Sequence, residues 1–427
     1  MKFIYNAFMS LLRKSPLLPS LKTEEVGRLK LSNNPKTAID SVLSATGEVS
    51  SLVYAEHFLS IYENMTEKQK IVIFKYLLEN LDIDHTGLTQ AAEEYGKDPT
   101  QSGMTAIKKL SEPEWQIVFE RLNATANGTV KLVRLREDLL KYRREHPELL
   151  RMDVSLLSLF KTLFNPGYLV MEPIDWTTPA TVLEKIIAYE AVHEISSWDE
   201  LRARLAPSDR RCFAFFHLAM PDEPLIFVEV ALTDKIPDSI QSVLVENRNY
   251  LTEDATNTAV FYSISNCQNG LVGVSFGNLL LKQVVQQLQE EIPSLKTFVT
   301  LSPVPGFTRW LSKSEPELYK TVIETNWINS ARKHRKNLES AMARYILISD
   351  RQDKAANDPV ARFHLGNGAT VHRFNYLGDI SENGLKQSAG MMINYMYELN
   401  TIDINHENYS NTKKIMADES ISGMVSQ

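Results

Sequence analysis

With only two cysteines in 427 residues, the chain cannot rest on a disulfide framework, and the paired cysteines of a zinc site are missing. Cys212 and Cys267 lie in apolar, strand-like surroundings and are expected as two buried thiols, which fits a reducing compartment and a cytoplasmic location. No stretch of eighteen apolar residues occurs, so no membrane span is expected. Basic residues are fewer than acidic ones, 46 against 53, for a net charge of -7. A nucleic-acid partner would require a clustered basic face. An anionic ligand must instead be held by local groups, not by the overall field. Low-complexity tracts and internal repeats are absent, and so is the G-x-S-x-G elbow of a serine hydrolase.

What is present describes a large globular protein. Hydrophobic residues make up 43% and charged residues 23%, enough to bury a sizeable core. The length calls for two or three domains, and two are counted. From Thr37 to Phe164 apolar residues recur at helical spacing: Leu52, Tyr54, Ala55, Phe58, Leu59 and Tyr62; then Ile71, Val72, Phe74, Leu77 and Leu78; then Leu132, Leu135, Leu139 and Leu140. Ser111-Glu112-Pro113-Glu114 has the pattern of a capping box. The N-terminal fourteen residues are basic and amphipathic, with no acid before Glu24, and read as a helix rather than a targeting segment. Asn165-Pro166-Gly167 marks a boundary. This gives an all-α helical bundle over 1–165 and a second domain over 166–427. In the second, short β-rich runs appear at Cys212–His217, Leu225–Leu232, Thr258–Ser263 and Leu271–Phe276, then a helix from Asn278 to Glu291 and a strand from Thr297 to Leu301. Helical sequence follows from Ser312 to Asp350. Strands followed by a strand–helix–strand unit predict a mixed sheet with helices against it, so the fold class is α+β.

Two segments carry the chemistry. T-L-S-P-V-P-G-F-T-R-W-L (Thr300–Leu311) delivers Ser302 from a strand into a turn stiffened by Pro303, Pro305 and Gly306. F-H-L-G-N-G-A (Phe363–Ala369) sets His364 between apolar residues, ahead of an Asn367-Gly368 pair suited to a tight hairpin. On spacing alone Ser302 reads as a turn or capping serine and His364 as a core histidine. The literal wording shifts that balance. These segments, with R-R-C (Arg210–Cys212), V-A-L-T (Val230–Thr233), F-Y-S-I-S (Phe261–Ser265), R-F-N-Y-L-G-D (Arg373–Asp379) and Q-S-A-G-M-M-I-N-Y-M-Y (Gln387–Tyr397), resemble the malonyl-CoA decarboxylase family over most of residues 165–400.

The resemblance implies an acetyltransferase-like (GNAT-like) catalytic domain behind a helical oligomerisation domain, and a homo-oligomer, dimer or tetramer. Malonyl-CoA is the implied substrate and acetyl-CoA the product. It also implies Ser302 and His364 as the catalytic pair, with Ser263 and Tyr397 as further catalytic candidates near them. Coenzyme A would meet the helix start at Gly277 and Asn278, where unpaired N–H groups face a phosphate. Asn367 lines the pocket or only forms the turn. Lys282 and Arg309 are candidate phosphate partners. Some animal members carry a glutamate at the position of Ser275, so a carboxylate orienting His364 is in doubt, with Asp379 as a substitute if the fold brings it near. Loss of CO2 from a malonyl thioester leaves an enolate for which the thioester is itself the electron sink, so neither a metal nor an organic cofactor is expected. A thioester hydrolase, an acyltransferase and a non-catalytic acyl-CoA binding protein remain open on the same residues.

Overall fold

The computed structural model describes residues 29–245, 248–274, 276, 280–323 and 331–425; the basic N-terminal segment lies outside them. They form two compact units. One comprises 29–169 with two short returns at 217–221 and 268–274. It is helical: α1 (Pro35–Ser44), α2 (Glu48–Glu63), α3 (Glu67–Asn80), α4 (His85–Lys97), α5 (Gln101–Leu110), α6 (Glu114–Asn123), α7 (Gly128–Tyr142) and α8 (Leu150–Leu163). Starts are specified locally. Asn34 accepts from the N–H groups of Lys36 and Thr37 with Pro35 behind it, and Thr66 and Gln69 form a reciprocal capping box.

The box expected at Ser111 does not form. Ser111 closes α5 and its hydroxyl donates to the Lys108 carbonyl, while Pro113, with φ fixed and no N–H, occupies the cap before α6. Phe58, Leu59, Tyr62, Phe74, Leu77, Leu132, Leu135 and Leu139 are buried as their spacing requires, whereas Val72 is exposed. The core also takes in an ion pair: Arg136 donates to Asp153 at 2.7 Å and to the Gly270 carbonyl at 2.7 Å.

The other unit is built on an eight-stranded sheet in the order β1-β2-β3-β4-β5-β8-β6, with β7 on β8. Its elements are β1 (Leu169–Pro173), α9 (Ala180–Tyr189), α10 (Trp198–Leu205), β2 (Arg210–His217), β3 (Ile226–Thr233), α11 (Ile240–Leu244), β4 (Thr258–Asn266), α12 (Leu280–Glu291) and β5 (Thr297–Thr300). They continue with β6 (Ser302–Pro303), α13 (Phe307–Ser314), α14 (Pro316–Ile323), α15 (Ala331–Leu347), α16 (Pro359–Gly366), β7 (Thr370–Asn375), α17 (Glu382–Ser388), β8 (Met392–Met396), α18 (Ile402–Thr412) and α19 (Glu419–Ser422). β4 and β5 run parallel, while β2·β3, β3·β4, β5·β8, β6·β8 and β7·β8 are antiparallel. The sheet is therefore mixed, as the periods predict.

Among the described residues of Leu271–Phe276 the expected strand does not form. The run from Leu271 makes the end of a 3-10 turn and then a bend, because Gly273 takes φ +84° and breaks the extended period while Val272 stands exposed. The faces of α12 are as expected, with Leu281, Val284, Val285 and Leu288 buried.

Candidate active site

The site arises where two parallel strands part. β4 pairs with β5 up to Phe261 and Thr300, and the Leu301 N–H adds a last rung to the Phe261 carbonyl at 3.0 Å. Beyond it β4 continues to Asn266, but Ser302 and Pro303 pair with Ile393 and Met392 of β8 instead. The two parallel strands therefore part after this rung. A cavity of about 250 Å³ lies in the cleft, walled by Phe261, Tyr262, Ile264 and Asn266 of β4, Ser302 and Pro303, Val192, and Pro359, Val360, Phe363 and His364. Among these residues none is charged apart from what His364 could carry.

His364 arrives on the last turn of α16, not on a strand. Asp358, fully buried, starts that helix by accepting from the N–H groups of Val360 at 2.8 Å and Ala361 at 3.0 Å, with Pro359 in the first turn. Burial holds the Asp358 carboxyl above its usual range. Asn367-Gly368 ends the helix rather than making a hairpin. Asn367 is the cap and donates its amide to the Phe363 carbonyl at 2.8 Å, and Gly368 takes φ +82°. A Cβ on Gly368 would lie 2.1 Å from the Ile402 carbonyl oxygen. The sequence signal was ambiguous because one Asn-Gly pair serves both turns.

Three side chains form a line. Ser302 Oγ is 2.9 Å from His364 Nε2, and His364 Nδ1 is 2.8 Å from the Tyr397 hydroxyl. Ser302 Oγ donates to Thr300 Oγ1 at 2.8 Å, and Thr300 Oγ1 also accepts from the Tyr395 N–H at 3.1 Å. With the serine proton on Thr300, Ser302 accepts from Nε2–H, which leaves Nδ1 to accept from Tyr397. The phenol fits that donor role, because burial keeps its pKa well above the ordinary value. Burial likewise lowers the His364 pKa to about 3, so the ring is neutral at physiological pH. Tyr395 stacks on the imidazole, centroids 4.6 Å apart and planes at 26°.

The remaining expected residues are placed elsewhere. Ser263 donates to the Glu190 carboxylate, 2.8 and 2.7 Å from its two oxygens, and is not in the Ser302–His364 line. Gly277, Asn278 and Ser275 lie outside the described residues. Lys282 is paired with Asp403 at 2.8 Å, and Arg309 is exposed on α13. Asp379 accepts from Gln241 at 2.9 Å and from the Ser381 N–H at 2.9 Å, so the group on His364 is a phenol and not this carboxylate. Sequence reasoning missed Thr300 and Asp358. The first sits two residues before Ser302 on an extended chain, and the second is an Asp before Pro at a helix start; both patterns were readable.

Comparison with known proteins identifies the family. A family model described as the malonyl-CoA decarboxylase C-terminal domain matches residues 167–427, and its N-terminal counterpart matches 81–164. The mitochondrial malonyl-CoA decarboxylase of Anser anser anser is 37% identical, covering 75% of this chain and 71% of the relative. That of Rattus norvegicus is 33% identical over 87% and 85%. Among solved structures, malonyl-CoA decarboxylase from Rhodopseudomonas palustris superposes with TM-score 0.89 at 41% identity, covering 92% of this chain and all of that one. The Agrobacterium vitis enzyme gives 0.86 at 43% identity over 91% and 99%. The chain belongs to the malonyl-CoA decarboxylase family.

Proposed function

We propose that this protein decarboxylates malonyl-CoA to acetyl-CoA and CO2 through a thioester enolate, with Ser302 and His364 as the catalytic residues. The observation that carries this reading is the Ser302–His364–Tyr397 line at the wall of a largely apolar cleft. With no cation among its described lining residues, such a cleft does little to stabilise a carboxylate, and charge that moves off it onto the thioester oxygen meets hydrogen-bond donors instead. The breaking C–C bond leaves its electron pair on the α-carbon, delocalised onto that oxygen. One proton must then reach carbon. Ser302 holds the carboxylate or carbonyl. A neutral imidazole gives a hydrogen bond more readily than a proton, which favours His364 as the stabiliser of the enolate. The Ser302–His364 pair supplies that proton, and solvent returns it to the pair once acetyl-CoA leaves, while Tyr397 keeps its own proton and holds the ring. No metal or organic cofactor enters this scheme, since the thioester is the sink.

A thioester hydrolase is the second reading, because 2.9 Å between Ser302 and His364 also suits a nucleophile and its base. Against it stand the serine proton directed to Thr300 and a phenol where a carboxylate usually orients the histidine. Rapid quench with malonyl-CoA and intact-mass measurement decides. The expected result is CO2 and acetyl-CoA with no acyl adduct, and a loss of roughly 10² or more in turnover for Ser302→Ala with coenzyme A affinity nearly unchanged. A kinetically competent ester on Ser302 would overturn the enolate route.

Self-association through the helical unit is part of the proposal. Leu150 and Val154, one turn apart on α8, are 51% and 58% exposed, and light scattering at two concentrations tests it. Among the described residues no helix is long and apolar enough to cross a membrane. The compared animal enzymes are named mitochondrial. Two buried free thiols suit a reducing compartment; we propose the cytoplasm, and fractionation tests it.

A further inference from the structure

Val192 lines the same cavity as Ser302 and His364, yet it belongs to neither splayed strand. It sits in the short segment after α9, which has no regular secondary structure of its own to hold it. What holds it is a buried carboxylate. Glu190 accepts from the N–H of Val192 at 2.8 Å and of His193 at 2.7 Å, so the backbone on both sides of the valine is fixed. The same carboxylate takes the Ser263 hydroxyl at 2.8 and 2.7 Å and the Ser265 hydroxyl at 3.2 Å. Ser265 in turn accepts from the Ala191 N–H at 3.2 Å. Three successive backbone N–H groups are thus tied, through one carboxylate and two serines, to β4, the strand that also lines the cavity with Phe261 and Ile264. Val192 is therefore placed beside β4 by hydrogen bonds to a carboxylate and a serine rather than by soft packing alone.

We propose that Val192, held by Glu190, is the specificity-determining residue for the α-carbon of the acyl group, admitting malonyl thioesters and excluding those with an α-methyl substituent. This rests on the decarboxylase reading above. A wall residue whose backbone is tied on both sides yields little, so one more methyl at the α-carbon must displace Val192 or turn the acyl group away from Ser302. A methyl of difference in a hydrophobic pocket is worth about 10- to 200-fold in kcat/KM. Glu190 is a positioning residue, and so is Ser263.

The test is the ratio of kcat/KM for malonyl-CoA to that for methylmalonyl-CoA, measured on full-length protein. Val192→Ala should lower the ratio about tenfold by gaining activity on the methylated substrate, and Val192→Leu should raise it. Glu190→Gln, checked for folding by its melting curve, should shift the ratio in the same direction as Val192→Ala; a merely structural role would lower both activities and leave the ratio alone. A ratio unchanged within about twofold in both Val192 variants would overturn the proposal. Absence of CO2 release from malonyl-CoA by the unmodified protein would instead overturn the decarboxylase reading.

Discussion

His364 is mounted to stay neutral, and its neutrality has two measurable consequences. An unfolded histidine takes a proton near pH 6.5, but burial holds the folded one at about 3. Between these values the unfolded state binds a proton that the folded state refuses, so stability present above pH 6.5 is lost as pH falls, by about 1.4 kcal/mol per pH unit for one histidine. His364→Gln should remove one proton from the acid slope of urea-unfolding free energies measured between pH 7 and 5. His193, His217 and His372 are also lowered by burial, so part of the slope remains. An unchanged slope would mean that His364 is charged in the fold. In the same range kcat should show no limb near pH 6.5 from this residue. Tyr397→Phe removes the donor that fixes the tautomer. The hydrogen bond is worth about 1 kcal/mol, so kcat should fall about fivefold with KM nearly constant. At this scale the pair Ser302 and His364 could be named from the chain. Tyr397 was expected near them, but its hydrogen bond to His364 Nδ1 was not legible, because it depends on β8 lying beside β5, with Val299 opposite Met396.

A helix, α16, converts a local sequence signal into a position for the imidazole. Asp358 is joined through Tyr345, whose hydroxyl lies 3.4 Å from its second oxygen, to the helix before it. The start of α16 is therefore tied to α15 by a side chain that also caps it. Asp358→Ala should cost about 1–2 kcal/mol, at the upper end of the range for a lost cap because the site is dry. It should also lower kcat, since the last turn follows the first. Urea midpoint and turnover measured together would show whether the two losses travel as one. A stability loss without any change in kcat would mean that the C-terminal cap at Asn367-Gly368 alone places the ring. The sequence misled here for a physical reason. F-H-L-G-N-G has too few residues to display a period, and Asn-Gly favours both a hairpin and a helix end. Leu271–Phe276 misled in the opposite direction: its apolar content matched a strand, while Gly273 decided the backbone.

At the scale of the whole molecule, two hydrophobic periods separated the helical region from the mixed sheet without reference to any site, because each period is repeated many times. Discontinuity in the chain was not legible. The segment 268–274 lies between β4 and α12 in sequence but belongs to the helical unit, and no periodicity announces an excursion of seven residues. Arg136 binds that excursion. Its guanidinium, 2% exposed, donates to Asp153 and, across 134 residues, to the Gly270 carbonyl. Gly270 cannot be replaced by a residue with a side chain, since a Cβ there would sit 2.0 Å from the Val133 carbonyl oxygen. Asp153 also receives Arg143, so Asp153→Asn would leave two guanidinium groups, one of them wholly buried, facing a neutral amide. Removing one partner of a buried pair costs about 3–5 kcal/mol. For a unit of this size that corresponds to roughly 10 °C in the melting temperature seen by calorimetry. Replacing both partners with apolar side chains, Arg136→Met with Asp153→Leu, should recover much of the loss, because the cost comes from the stranded charge and not from the missing attraction. If Asp153→Asn melts within about 2 °C of the parent, the charge at Arg136 is reached by water, and the tie to Gly270 is a surface contact.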